Sequence, residues 1–288
     1  MNTVHGLQKT AFRRVRQLET FSGPRGFLKK YLDVVASGDE IGAEAFRNSV
    51  SYQHLDHLVP QAAYQRTNVT SGIVEFRDIE AKNRKLVVLV TGRGLRFGCP
   101  LPLVVEALGR TASDILVLRD PFDDHYRSGI GSAAPDFHSL VKFVSERLRG
   151  YEDRIVMGNS MGAGAAIAIA GKLQAKRGVG LSVVYPWDIG RIIGGKLPNP
   201  FLPLCACQTG DFSQSLFIAN GDHVEDQTRA ATMSKMLGAQ HADIPNEADH
   251  GVLRPFVLSN RLRPLMALIT DLRVPLPYVA ARLRNGGP

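Results

Sequence analysis

The chain has 288 residues, 44% hydrophobic and 22% charged, the composition of an ordinary globular protein long enough to bury one substantial core. No stretch reaches the roughly 18 unbroken apolar residues of a spanning helix, and residues 1–20 are polar and charged throughout, so neither a membrane span nor a secretory signal is expected. A net charge of +8 would permit anionic partners, but the arginines are spread along the chain and no nucleic-acid module accompanies them, so nucleic acid is excluded as the expected partner.

Residues 1–66 read as a helical N-terminal extension. Leu7 to Phe21 and Phe27 to Val35 carry apolar residues at helical spacing, separated by Ser22-Gly23-Pro24, and the pattern resumes from Ile41 to about Leu58, with Pro60 as a natural end. Between Lys9 and Lys30 seven basic residues face the single acid Glu19. Such a helix could lie on an anionic membrane surface, although a solvated helix face is the preferred reading. No chemical motif attaches to this extension.

From about Asn68 the rhythm becomes strand and helix in alternation. Val69 to Phe76 reads as a strand, and Lys85 to Thr91 is an apolar run of the kind found in a parallel strand buried on both faces. A helix follows over Val104 to Leu108, a strand over Asp114 to Arg119, and an amphipathic helix over Phe137 to Leu148. The next strand ends at Ser160 and runs into a helix reaching about Lys176. Val179 to Tyr185, Gln214 to Asn220 and His241 to Ile244 are further strands, with a helix from about Asp226 to Leu237 and mostly helical chain from Leu253 to Leu272. The alternation predicts βαβ units and a mostly parallel, doubly wound sheet over residues 67–288, with sites at the carboxyl ends of its strands. Trp187 to Phe212 breaks the rhythm with three prolines and is expected to be a cap insertion over the site.

The richest segment is Met157-Gly158-Asn159-Ser160-Met161-Gly162, a G-x-S-x-G turn between a buried strand and a helix of small residues. A serine hydroxyl is a poor nucleophile at neutral pH and needs an imidazole to take its proton and a carboxylate to orient that imidazole. In this architecture the order is serine, acid, histidine. His250, in the polar loop Asn246 to Gly251, is the candidate base. Asp222 and Asp226, after the strand ending at Asn220, are the candidate acids, with Asp222 preferred because Asp226 also suits a helix N-cap. The oxyanion donors are expected to be the N–H groups of Met161 and of Arg93 in the loop Thr91 to Arg96. Cys99, Cys205 and Cys207 form a sparse, odd set that fits a reducing, cytoplasmic compartment, and Cys205-Ala206-Cys207 lacks the neighbours of a metal site.

This ordered set resembles the α/β-hydrolase superfamily over about residues 70–288. Leu118-Arg119-Asp120-Pro121, Tyr126, Gly129, Gly131 and the Ser160 turn are together similar to a hydrolase-like branch associated with bacterial polysaccharide genes. The chain departs from the commoner pattern at Thr91, where a His-Gly pair often stands, and at Ala163. The resemblance implies a serine hydrolase of esterase type acting through an acyl-enzyme, with no cofactor and no metal, on a small-molecule or glycan-linked ester. An acyltransferase using the same triad and a non-catalytic binding protein on the hydrolase fold are the alternatives. Arg119, Asp120 and Tyr126 are expected near the pocket, the aspartate either serving the site or ordering its own loop. Oligomeric state is not legible.

Overall fold

The computed structural model describes residues 2–55, 64–70, 72–78, 84–109, 111, 113–184, 214–245 and 251–287. The cap expected at Trp187 to Phe212, the Cys205–Cys207 pair and Pro60 lie outside the described residues.

Four helices open the chain: α1 (Asn2–Phe21), α2 (Pro24–Ala36), α3 (Glu40–Arg47) and α4 (Val50–His54). Gly23 and Pro24 separate the first two, since proline suits the first helical turn but not a helix interior. Strands β1 (Tyr64–Thr70) and β2 (Ile73–Asp78) then pair antiparallel. The single strand expected over Val69 to Phe76 is therefore two strands, because the chain reverses at Gly72, whose carbonyl accepts the Arg119 N–H at 2.9 Å. β1 also opens at Tyr64, inside the segment read as helical.

The remaining elements are β3 (Lys85–Val90), α5 (Leu101–Gly109), β4 (Ser113–Leu118), α6 (Phe137–Leu148), β5 (Asp153–Asn159), α7 (Met161–Lys172), β6 (Arg177–Leu181), β7 (Leu216–Asn220), α8 (Val224–Leu237), β8 (Gln240–Asp243), α9 (Arg254–Leu258), α10 (Leu262–Thr270) and α11 (Leu276–Arg284). β6 stops at Leu181, short of the expected Tyr185, and α11 follows Pro275 beyond the helical region anticipated from the pattern. The eight strands form one sheet in the order β1-β2-β4-β3-β5-β6-β7-β8. β3 to β8 run parallel, and β1, β2 and β4 pair antiparallel at one side.

Alternation along the strands gives each face its own core. On one face Val87, Leu89, Ile155 and Met157 pack with Val104 and Leu108 of α5, Ile269 of α10 and Val279 of α11. Val15, Phe27 and Phe46 of the N-terminal helices belong to that same cluster. The opposite face buries Val88, Val90 and Val156 against Leu140 of α6, Ala163 and Ile167 of α7, and Met233 of α8. Strands covered on both faces need apolar residues at every position, which explains the unbroken run Leu86 to Val90. Arg177, nearly buried at the start of β6, donates to the carbonyls of Ile269 (2.6 Å), Asp271 (3.1 Å) and Val274 (2.7 Å), fixing the end of α10 to the sheet.

Candidate functional site

β5 lies in the middle of the sheet, between β3 and β6, so its carboxyl end delivers the next residue to the centre of the sheet edge. That residue is Ser160. Its backbone sits at φ 53°, ψ −122°, a conformation that an L-residue adopts only under constraint. The constraint is visible: the Ser160 N–H donates to the Leu181 carbonyl of β6 at 2.8 Å, while α7 begins at the very next residue. A corner this tight leaves no room for side chains beside it. A Cβ on Gly162 would lie 2.5 Å from the Val90 carbonyl oxygen, and one on Gly158 would lie 2.6 Å from the Ala166 methyl. The two glycines of the motif are thus set by close approach of α7 to β3 and β5.

Two loops flank this corner. The loop after β3 packs Gly92 against the Asn159 carbonyl and the Ser160 Cβ, where an added Cβ would come within 2.8 Å and 3.0 Å. The loop after β4 is organised by Asp120, which is buried and accepts three backbone N–H groups, those of Phe122, Asp124 and Tyr126, each at 2.9 Å. Burial raises the Asp120 carboxyl above its usual range, and these N–H groups oppose the shift. Tyr126 is fully buried, and its hydroxyl lies 2.9 Å from the carbonyl oxygens of Thr91 and Leu118, tying this loop to the one after β3. Asp120 therefore orders its own loop. Arg119 turns the other way, donating to the Thr20 carbonyl of α1 at 3.1 Å.

The ordered loop presents His125, with φ 63° between Asp123 (φ 55°) and Tyr126 (φ 64°). His125 is nearly buried and lines the same cleft as Ser160. Burial lowers its pKa, opposed by the nearby Asp123 and Asp124 charges and by a backbone hydrogen bond with Met161. Sequence reasoning did not single it out. The signal available was the Asp120 loop itself, whose carboxylate spacing fits an Asx-type turn followed by a cleft residue.

The cleft has a volume of about 870 Å³. Ser160, Met161 and Arg93 all line it, so the structure brings the expected nucleophile and both expected oxyanion residues together. His250 lies outside the described residues, and the next residue in the chain, Gly251, lines the cleft. The two candidate acids differ in surroundings. Asp222 is exposed just beyond β7. Asp226, in the first turn of α8, is 1% exposed, with its Oδ1 3.5 Å from Arg229 Nη1 and 3.8 Å from His223 Nδ1. The cleft also holds Cys99, whose thiol burial pushes up in pKa.

No family model and no curated protein matches the chain in sequence. Solved structures do match in shape. A candidate thioesterase from Silicibacter sp. TM1040 superposes with a TM-score of 0.52 at 13% identity, covering 74% of this chain and 87% of its own. A candidate esterase from Staphylococcus aureus gives 0.50 at 12% identity, covering 80% of this chain and 92% of that one. An esterase of the bacterial hormone-sensitive lipase family gives 0.50 at 15% identity, covering 85% and 97%. The architecture is the α/β-hydrolase fold, and at these identities the likeness is one of fold.

Proposed function

We propose that the protein is a serine hydrolase that cleaves an ester-type acyl bond. The observation that carries the proposal is Ser160 itself: a serine held at φ 53° on the strand-to-helix corner, opening into a cleft of about 870 Å³. Holding a non-glycine residue there costs stability, and such strain is characteristic of functional sites. The esterase and thioesterase names of the fold neighbours agree with this chemistry.

In this reading Ser160 Oγ attacks the ester carbonyl carbon while His250 takes its proton. The carbonyl oxygen becomes an oxyanion held by the N–H groups of Arg93, in the loop after β3, and of Met161, at the start of α7 where the helix dipole favours negative charge. Collapse of the tetrahedral intermediate expels the alcohol, which leaves with the proton from His250. Water, deprotonated by His250, then attacks the acyl-enzyme and releases the acid. Asp222 or Asp226 keeps the imidazole in the orientation this needs.

The test is labelling with a fluorophosphonate, in which Ser160 Oγ displaces fluoride and forms a stable phosphonyl-serine. Native protein should label and Ser160→Ala should not. Labelling that persists in Ser160→Ala, or a folded native chain that does not label, overturns the proposal. His250→Gln should abolish labelling too, and comparison of Asp222→Asn with Asp226→Asn identifies the acid as the one whose loss lowers kcat by about 10⁴-fold.

A further inference from the structure

We infer that the substrate of this cleft carries an anionic group, a carboxylate or phosphate, at a distance from the scissile ester; the inference rests on the serine hydrolase reading of the same site. The cleft is charged asymmetrically. Four arginines line it, Arg16 from α1, Arg93 and Arg96 from the loop after β3, and Arg254 from α9. They stand against one carboxylate among the described lining residues, Glu19. The chain as a whole is much more balanced, with 35 basic and 27 acidic residues.

Part of that positive charge, at Arg16 and Arg96, is uncommitted among the described residues. Glu19 is nearly buried, and its Oε1 accepts the Ser51 N–H at 2.9 Å, so it serves to hold α4 against α1. Arg93 Nε is paired with Asp123 Oδ2 at 3.0 Å. Arg16 and Arg96 are exposed and form no ion pair among the described residues. They come from two segments far apart in sequence, yet both face the cavity that holds Ser160. A guanidinium offers a planar fork of donors that matches a carboxylate or phosphate, and in a cleft walled by protein its charge is screened less than in open water.

Val50, Pro100, Val184, Val257 and Leu258 form an apolar part of the wall, beside the polar His125 and Asn159. Together the two kinds of surface fit an ester with a short apolar stem and an anionic head. A purely neutral ester filling this space would strip water from Arg16 and Arg96 without replacing it, which costs affinity. The arginines therefore select against neutral esters as well as for charged ones.

The test uses two 4-nitrophenyl esters of nearly equal length, the neutral butyrate and the hydrogen glutarate with its terminal carboxylate. Binding to full-length Ser160→Ala is measured by calorimetry, so no turnover is required, and kcat/KM is measured on the native chain. The glutarate ester should be preferred by at least about ten-fold in both measurements at low salt, and the preference should shrink as ionic strength rises. Arg96→Gln and Arg16→Gln should each reduce the preference by about three- to five-fold. A third ester ending in phosphate identifies the head group by its affinity relative to the glutarate ester. Equal binding of the neutral and charged esters, binding of none of them, or arginine variants that leave the ratio unchanged would overturn the inference. The two readings fail separately. A charge preference in a protein whose Ser160 does not label with fluorophosphonate keeps the anionic cleft and removes the hydrolase; labelling without a charge preference does the reverse.

Discussion

Replacing Ser160 with glycine should leave the protein more stable than replacing it with alanine, and comparison of the two variants isolates the backbone cause. Ser160 is held at φ 53°, ψ −122°. Holding a residue with a Cβ in such a sparsely populated region costs about 1–3 kcal/mol. Glycine removes that cost but loses about 0.5–1 kcal/mol through the extra freedom of the unfolded chain. Alanine keeps the Cβ and hence the strain, and both variants lose the hydroxyl and whatever it contacts. The glycine variant should therefore exceed the alanine variant by about 0.5–2 kcal/mol. The corner cannot relax to avoid the strain, because the Ser160 N–H is bonded to Leu181 and Gly158 pairs in register with both Val90 and Gly180. An unfolding entropy of about 2.1 cal/mol/K for each of 288 residues converts the difference into a Tm gap of about 1–3 °C. Differential scanning calorimetry of the two variants side by side resolves a gap of that size. A glycine variant that melts at or below the alanine variant would show that the backbone at Ser160 is not strained, and with it the main support for a functional serine there would go.

Gly162→Ala should cost about 2–4 kcal/mol, since its Cβ would fall 2.5 Å from the Val90 carbonyl and closer still to that of Thr91, with only backbone to push against; urea unfolding checks it. Asp120→Ala strands three N–H groups in a buried loop, so about 3 kcal/mol of stability and the protease resistance of residues 121–136 should be lost together, as read by urea midpoint and limited trypsinolysis. His125 makes stability depend on pH. Its folded pKa lies below the ordinary 6.5 because of burial, so between the two values the unfolded chain binds the extra proton and stability falls as pH is lowered from 6.5 through the folded pKa. His125→Gln should flatten the Tm-against-pH curve in that window, and a curve of unchanged slope would refute the assignment.

What could be read in advance was whatever depends on neighbours in the chain. The run Leu86 to Val90 announces a strand buried on both faces, and Phe137 to Leu148 announces α6 to the residue, because Asp136 caps it and its apolar stripe is regular. The Ser160 corner is equally local. The hairpin of β1 and β2 was less legible because β1 is polar and exposed from Gln65 to Asn68, so a strand pattern shows only from Val69 onward. His125 escaped for a different reason: nothing local marks a histidine as facing a cleft, and its place follows from Asp120 and Tyr126 closing a loop against Thr91. The walls of the cleft were the least legible part. They come from α1, α4 and α9 as well as from the strand ends, and only packing brings those helices together.

That packing gives the N-terminal helices a part in the site, although they carry no motif. α1 is pinned at two points. Arg119, at the end of β4, donates to the Thr20 carbonyl and sets its guanidinium 4.7 Å over the Phe21 ring, and burial pulls its pKa down to about 10. It stays charged at neutral pH, so burying it is tolerable only with such partners. One residue earlier, the Glu19 carboxylate takes the Ser51 N–H. Arg16 precedes these two pins by three and four residues, one helical turn, and so lies on the same face of α1. Fixing Glu19 and Thr20 therefore fixes where Arg16 stands, and it stands in the wall of the cleft that holds Ser160. Helices that would otherwise only cover one face of the sheet thus add one of the four guanidinium groups that charge the cleft.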